Sequence, residues 1–321
     1  MIDKSSLIKS GQLYRRYHLL YEQMKFCKLC PRNCKINRYR YNGVCGANYK
    51  IRIANALLHF GEEPPLVKDG GSGAIFFSGC PMKCIYCQNM GFSQKGLGFE
   101  VTEQELAFIM LELQKAGAEN INLITASHYT PQVLKALEIA LMEGLSIPIV
   151  WNTSSYEKVE TLKFLDGVVD VYLADIRYVE DVVGLKYSKV PNYWTVAKKA
   201  LKEMFKQVGA FDGERGIIVR ILVLPSRVTD HKKALDFVAN ELSPDVPVSI
   251  MRQYMPVFDA KSDPLIGREV SEEEYEEVLS YAERLGIHGW MQLDVRQDVS
   301  TKAVESIHKL LKSKAIGSYL I

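Results

Sequence analysis

The sequence predicts an α/β fold organised on parallel strands, and three observations carry that expectation. From Ser72 onward, short apolar runs alternate with segments of helical periodicity, giving six strand–helix repeats in about 185 residues. Repeats of β then α imply parallel strands joined by right-handed crossovers. The chain has 321 residues, 47% hydrophobic and 24% charged, ample for a buried core in one large domain or two modest ones. Six units fall short of the eight that close a barrel.

Residues Ser5 to Lys25 are expected to form a helix, with Leu7, Leu13, Tyr17, Leu20 and Met24 at helical spacing and Tyr14 and Tyr17 as packing residues. The stretch CKLCPRNCKINRYRYNGVCG follows, in which Cys27, Cys30, Cys34 and Cys45, punctuated by Pro31 and Gly43, form a compact metal knuckle. Tyr49 to Phe60 is a short strand, and Glu62 and Glu63 before Pro64 and Pro65 are extended chain, expected as a solvated loop with substrate contact by the two carboxylates as the alternative. GAIFFS is the first core strand. VTEQELAFIMLELQKAG is a helix opened by a Thr102–Glu105 capping box, with Leu106, Ile109, Met110 and Leu113 facing inward. INLIT and Pro131 to Glu143 make the second pair, and IPIVWNT and Glu157 to Leu165 the third. VDVYLAD and, after a long loop, Thr195 to Gln207 make the fourth; GIIVRILVLP and His231 to Glu241 make the fifth. VPVSIMRQYMP is the sixth strand, followed by the acidic amphipathic helix SEEEYEEVLSYAERLG. GWMQLDV is a candidate further strand, and Thr301 to Lys314 a last helix.

The chemistry is carried by GCPMKCIYCQN, Gly79 to Asn89, directly after the first core strand. Cys80, Cys84 and Cys87 put three thiolates on one short loop, enough for three irons of a cubane 4Fe-4S cluster, with the fourth iron open to a ligand. Structural zinc, the rival, prefers four protein ligands. With its C-x3-C-x2-C spacing and the aromatic Tyr86 just before the third cysteine, this loop resembles the signature of the radical S-adenosylmethionine (SAM) superfamily. The wider resemblance, roughly Cys27 to Pro256, is to the pyruvate formate-lyase activating-enzyme group and its PflX-type branch. It implies an open, partial (β/α)6 barrel, with a small N-terminal cysteine-rich segment and a C-terminal helical extension. It also implies a 4Fe-4S cluster and SAM as cofactors. Reductive cleavage of SAM then gives a 5′-deoxyadenosyl radical that abstracts hydrogen from a substrate, and activation of a glycyl radical enzyme is one form of that activity.

In parallel β/α architectures the site lies at the carboxyl ends of the strands. Those ends carry Thr125, Ser127 and His128; Asn152, Thr153, Ser154 and Ser155; Asp175, with Arg177 two residues on; Arg220; and Gln253 with Tyr254. The resemblance places Tyr86 against the SAM adenine, and Asn152 and Ser154 in a polar turn that touches the ribose and carboxylate. It matches Arg220 to the arginine that pairs with the SAM carboxylate, a role suited to the guanidinium fork. Relatives often carry a Gly-Gly-Glu stretch for the SAM amino group, which this chain lacks. Thr125 with backbone carbonyls is the candidate for that contact, and His128 for SAM or substrate. Asp175 is a candidate for the SAM amino group or the substrate. The alternatives are an Arg220–Asp175 ion pair, a satisfied structural His128 and a plain helix cap at Ser154 or Ser155.

Two metals fit Cys27, Cys30, Cys34 and Cys45. Four thiolates suit a closed tetrahedral zinc site and equally an auxiliary 4Fe-4S cluster that relays electrons. The seven cysteines divide into four and three with none left over, against a closed disulfide framework. A net charge of +2 gives no argument for a nucleic-acid or membrane partner. No run approaches 18 apolar residues, and the amino terminus has no signal-peptide pattern, so a cytoplasmic location is expected. Three segments are expected: 1–70 with the first helix and four-cysteine knuckle, 71–260 as the barrel core, and 261–321 as an extension packed on it. The implied partners are SAM and an electron donor such as flavodoxin or ferredoxin. The competing expectation is a non-catalytic Fe-S or zinc protein, an electron carrier or interaction module; it leaves Tyr86, Arg220 and the polar strand ends unexplained.

Overall fold

The computed structural model describes residues 4–291 and 300–317. One sheet runs through it, made of β1 (Ile51–His59), β2 (Ser72–Phe77), β3 (Phe99–Val101), β4 (Ile121–Ile124), β5 (Ile149–Thr153), β6 (Val171–Asp175), β7 (Gly216–Leu222), β8 (Val248–Met251), β9 (Gly289–Met291) and β10 (Thr301–Ala303). Its order is β10-β1-β2-β4-β5-β6-β7-β8-β9, with β3 paired to β1. The six expected core strands, β2 and β4 to β8, pair in parallel one after the next. β9 adds a seventh parallel strand, and β1 runs antiparallel on the other side of β2. Among the described residues β9 and β10 do not pair with each other, so the mixed α/β, mostly parallel sheet is an open, partial barrel. Residues 1–70, 71–260 and 261–321 all contribute strands to it.

Both faces of the parallel strands are buried, which is why they read as continuous apolar runs. Alternate residues share a face. Val150, Val171, Leu173 and Ile218 point inside and meet Leu66, with Phe211 and Trp290 packed against them. Trp151, Tyr172, Ile217 and Val219 belong to the larger core beneath the helices. The expected capping box forms: Thr102 Oγ1 accepts from Glu105 N at 3.2 Å and Glu105 Oε2 from Thr102 N at 2.8 Å. Ser271 and Glu274 repeat the arrangement.

Several expectations are corrected. The first helix is two, Ser5–Lys9 and Gln12–Met24, broken at Gly11 with φ +63°. Tyr14 on it is half exposed, while Tyr17 is buried. Glu62 and Glu63 are not solvated; they turn into the barrel, and Pro64–Val67 is a helical turn that delivers Leu66 to the interior cluster. The long loop after β6 contains an unexpected helix, Asp181–Ser188. Thr301–Ala303 is not helical: it covers the edge of β1, and the last helix is Glu305–Gly317. The GWMQLDV strand is seen at Gly289–Met291, and its remainder lies outside the described residues. The described residues hold no helix long and apolar enough to cross a membrane.

Burial also sets an acid limit on stability. His231 is buried, its Nε2 accepts the Leu224 N–H at 3.2 Å, and burial holds its pKa down at about 4 from 6.5. The folded state therefore resists protonation: this stability is fully present above pH 6.5 and is lost as pH falls toward 4. Unfolding free energies measured from pH 7.5 to 4.5 are expected to fall less steeply in His231→Gln than in the parent, by up to about 1.4 kcal/mol per pH unit within that window. Equal slopes would contradict this.

Candidate functional site

A cavity of about 1000 Å³ opens at the carboxyl ends of the parallel strands, and Cys80, Cys84, Cys87 and Tyr86 are on its wall. The loop that brings them there is held on three sides. Its first turn needs glycine, because Gly79 has φ +85° and a Cβ there would stand 2.7 Å from the Cys45 carbonyl oxygen. Cys80 N donates to that same oxygen at 3.0 Å. The Asp181–Ser188 helix clamps the middle: Lys83 N and Ile85 N donate to the Ser188 and Tyr187 carbonyls, both at 2.9 Å, and Ser188 Oγ donates to Cys84 Sγ at 2.9 Å. On the third side Gln94 Nε2 donates to the Cys84 carbonyl at 2.8 Å, and Ser93 Oγ lies 3.2 Å from Cys87 Sγ. Burial pushes the Cys80 thiol up to about 12 and raises that of Cys84, with Arg177 opposing both shifts. Nearby cationic charge is what thiolates in such a place require.

Tyr86 is buried at the cavity wall. Its hydroxyl bonds that of Tyr178, which in turn bonds Ser188 Oγ at 2.6 Å, and its ring meets the edge of Tyr254 at 5.6 Å. The ring is thus fixed in one orientation by a hydrogen-bond chain that leads back to the cysteine loop.

Below the loop lies a charged network. Arg220 on β7 donates from Nε to Asp175 Oδ1 at 2.8 Å, from Nη1 to Glu62 Oε2 at 3.2 Å and from Nη2 to Asn152 Oδ1 at 2.6 Å. Asp175 Oδ2 accepts from Arg177 Nη2 at 2.6 Å. Glu62 Oε1 accepts from Asn122 Nδ2 at 3.1 Å. Three of the five N–H donors of Arg220 are therefore used within the protein. Arg177 Nε is buried with no partner, beside the cysteine loop.

Of the expected site residues, Tyr86, Thr125, Asn152, Ser154, Asp175 and Arg220 line this cavity with the three cysteines. Thr125 is a β-branched residue held at φ +43°, a strained conformation of the kind that gathers at functional sites. Gln253 and Tyr254 line the cavity as well. His128 does not: it is 1% exposed, its Nε2–H donates to the Ser78 carbonyl at 2.8 Å, and burial lowers its pKa to about 3, so it supports the loop from behind as a neutral ring. Ser127 donates to Glu157, which also accepts from Trp151 and Thr153. Sequence reasoning missed Glu62 as a partner of Arg220 and left Arg177 without a role. The available signal was Arg220 itself, since an arginine inside an apolar strand demands acidic partners, and the chain offered more than Asp175.

The N-terminal cysteines pack directly behind. Cys27, Cys30 and Cys45 are buried and Cys34 half-buried. Arg38, 1% exposed, donates to the His128 carbonyl at 3.1 Å and stands 3.9 Å from Cys27 Sγ. Among the described residues no three His, Cys, Asp or Glu side chains already stand as a ready metal-ligand set.

These features define the class: a mixed α/β partial barrel with a three-cysteine loop at a strand-end cavity. The chain belongs to the same family as the uncharacterized protein MJ0674 of Methanocaldococcus jannaschii. It is 31% identical to that protein over 287 residues, which cover 87% of this chain and 81% of that one. No protein-family model matches the chain. Among solved structures, a domain of pyruvate-formate lyase-activating enzyme from Bacteroides vulgatus overlaps 51% of this chain and 91% of its own, at 16% identity and a TM-score of 0.38. HydG, a maturase of the FeFe-hydrogenase, overlaps 68% of this chain and 50% of its own, at 15% identity and 0.48. The anSMEcpe structure with bound AdoMet overlaps 67% of this chain and 61% of its own, at 10% and 0.44. At these values the overlaps carry no functional weight.

Proposed function

We propose that the protein is a radical SAM enzyme. The observation that carries this reading is the presentation of Cys80, Cys84, Cys87 and Tyr86 on one wall of a cavity at the strand ends. The residues fit the cofactors. Three thiols suit a 4Fe-4S cluster with one open iron, and the cavity is of the size that takes a nucleoside-sized ligand. The Nε–H of Arg177 beside Cys84, without a hydrogen-bond partner among the described residues, supplies a donor for a ligand. When bound, cluster and SAM supply reductive cleavage to a 5′-deoxyadenosyl radical that abstracts hydrogen from the substrate.

The chain's own residues position and enclose. Tyr86, held by Tyr178, would stand against the adenine. Asn152 and Ser154 offer uncharged donors and acceptors to the ribose and carboxylate, and Thr125 a contact to the amino group. Arg220 fixes Asn152 and Asp175 at the cavity wall, and its two remaining N–H groups would be donors for a ligand carboxylate. His128 keeps the loop in place. A pure electron carrier has no use for so large a cavity. The narrower proposals follow the resemblance: an activating-enzyme reaction on a glycyl radical enzyme, PflX-type, in the reducing cytoplasm, with flavodoxin or ferredoxin as donor. Cys27, Cys30, Cys34 and Cys45 are proposed to hold zinc or a second cluster.

Electron paramagnetic resonance of reduced, anaerobically reconstituted protein tests this. The cluster signal is expected to change when SAM is added, because the open iron gains a ligand; an unchanged signal contradicts the proposal. A metal count on the same sample separates four irons with one zinc from eight irons, deciding the N-terminal site.

A further inference from the structure

Beside Arg220 the cavity wall carries two further acids to which the SAM contacts assign no role. Glu62 and Glu63 follow β1 and line the cavity, as do Ser249 on β8 and Trp290 on β9, which stand in register next to Arg220. The two acids differ in their pairing. Glu62, 7% exposed, is paired with Arg220 and held by Asn122. Glu63, 6% exposed, makes no contact ion pair among the described residues, although the Arg220 charge acts on it as well, and burial pushes its pKa up. Ser249 favours the charged form of Glu63, and among the described residues its Oε2 has no hydrogen-bond partner. Among the described residues three acids, Glu62, Glu63 and Asp175, share this wall with two guanidinium groups, Arg177 and Arg220, and burial pushes the pKa of Glu62 and Glu63 up. Lys68, the remaining cation of the wall, is solvent-exposed, and His59 is kept neutral by burial and by Arg220.

A buried carboxylate with an unsatisfied oxygen is costly unless a ligand completes it. The neighbour of Glu63 narrows the choice of ligand. Trp290 stands beside Ser249 in the β8–β9 register, on the same inner face, and its indole lines the cavity. A carboxylate next to an indole face is the arrangement that favours an organic cation.

Building on the reading of the cysteine-loop wall as the SAM site, we infer that the Glu63 side of the cavity is the substrate subsite and that the substrate carries a cationic nitrogen, an alkylammonium or guanidinium group, taken up by Glu63 with Trp290 on the same wall. Glu62 is then the structural member of the pair and Glu63 the recognising one.

The test uses reconstituted full-length protein and three small probes of one size: n-butylammonium, n-butanol and n-butyrate, titrated calorimetrically with and without SAM. Butylammonium alone is expected to bind, with SAM present as well as absent. Glu63→Gln is expected to weaken it by about tenfold to a hundredfold, the worth of a charge-assisted hydrogen bond, and Glu63→Asp to restore part of the loss. Thermal unfolding separates recognition from folding: Glu63→Gln is expected to leave the midpoint unchanged or raise it, and Glu62→Gln to lower it. Equal binding of the three probes, or unaltered butylammonium binding in Glu63→Gln, overturns the inference. Competition between butylammonium and SAM also overturns it, because the carboxylate then belongs to the SAM site. 5′-Deoxyadenosine formation measured on the same samples reports separately on the radical SAM reading: its absence with cation binding intact sinks that reading and leaves the cation subsite standing.

Discussion

Replacing Arg220 by alanine is expected to lower the unfolding free energy by about 3–5 kcal/mol, the usual effect of removing one partner from a buried ion pair. The guanidinium is 14% exposed, and its acidic partners Glu62 and Asp175 are 7% and 8% exposed. Without it both carboxylates stay in the barrel interior, and Asn152 loses the bond that aims it. Arg220→Lys is expected to recover little, because an ammonium cannot span Asp175, Glu62 and Asn152 from one fork. SAM affinity is expected to fall in parallel, while the three loop cysteines still assemble the cluster. Denaturant unfolding checks the first part; a loss under about 1 kcal/mol would mean that water already satisfies the two acids.

Cys84→Ala is expected to remove the reducible cluster and reduce SAM cleavage to background, with little effect on folding. Cys84 is the central thiol of the loop. Its sulfur accepts from Ser188 Oγ, and its carbonyl is held by Gln94. The side chain lost is small and its neighbour Ser188 keeps a bond to Tyr178, so the unfolding midpoint is expected to stay close to the parent. Iron analysis and SAM turnover check this together. Retained turnover would remove the loop from the mechanism.

The parts of this protein legible in its sequence were those coded locally. Six parallel strands show as apolar runs, the capping box at Thr102 stands in its own few residues, and the spacing of Cys80, Cys84 and Cys87 marks the loop that reaches the cavity wall. What was hidden depends on distant partners. Glu62 and Glu63 beside two prolines look like solvated loop, because the arginine that pairs with Glu62 lies 158 positions away. The Asp181–Ser188 helix has no apolar periodicity. Its Gly184, a poor helix former, is there for packing: a Cβ would stand 2.6 Å from that of Tyr193. That helix nevertheless clamps the cysteine loop. His128 looked equally suited to ligand and core, and only its bond to the Ser78 carbonyl behind the loop separates the two. The strand Thr301–Ala303 was hidden for the same reason, since it exists to cover β1.

The most direct measurement is the yield of 5′-deoxyadenosine and methionine when cluster-replete, reduced protein is incubated with SAM in the absence of oxygen. Formation of both in equal amounts, lost in Cys84→Ala, is the predicted result. A fully loaded, reducible cluster that leaves SAM intact would contradict the account.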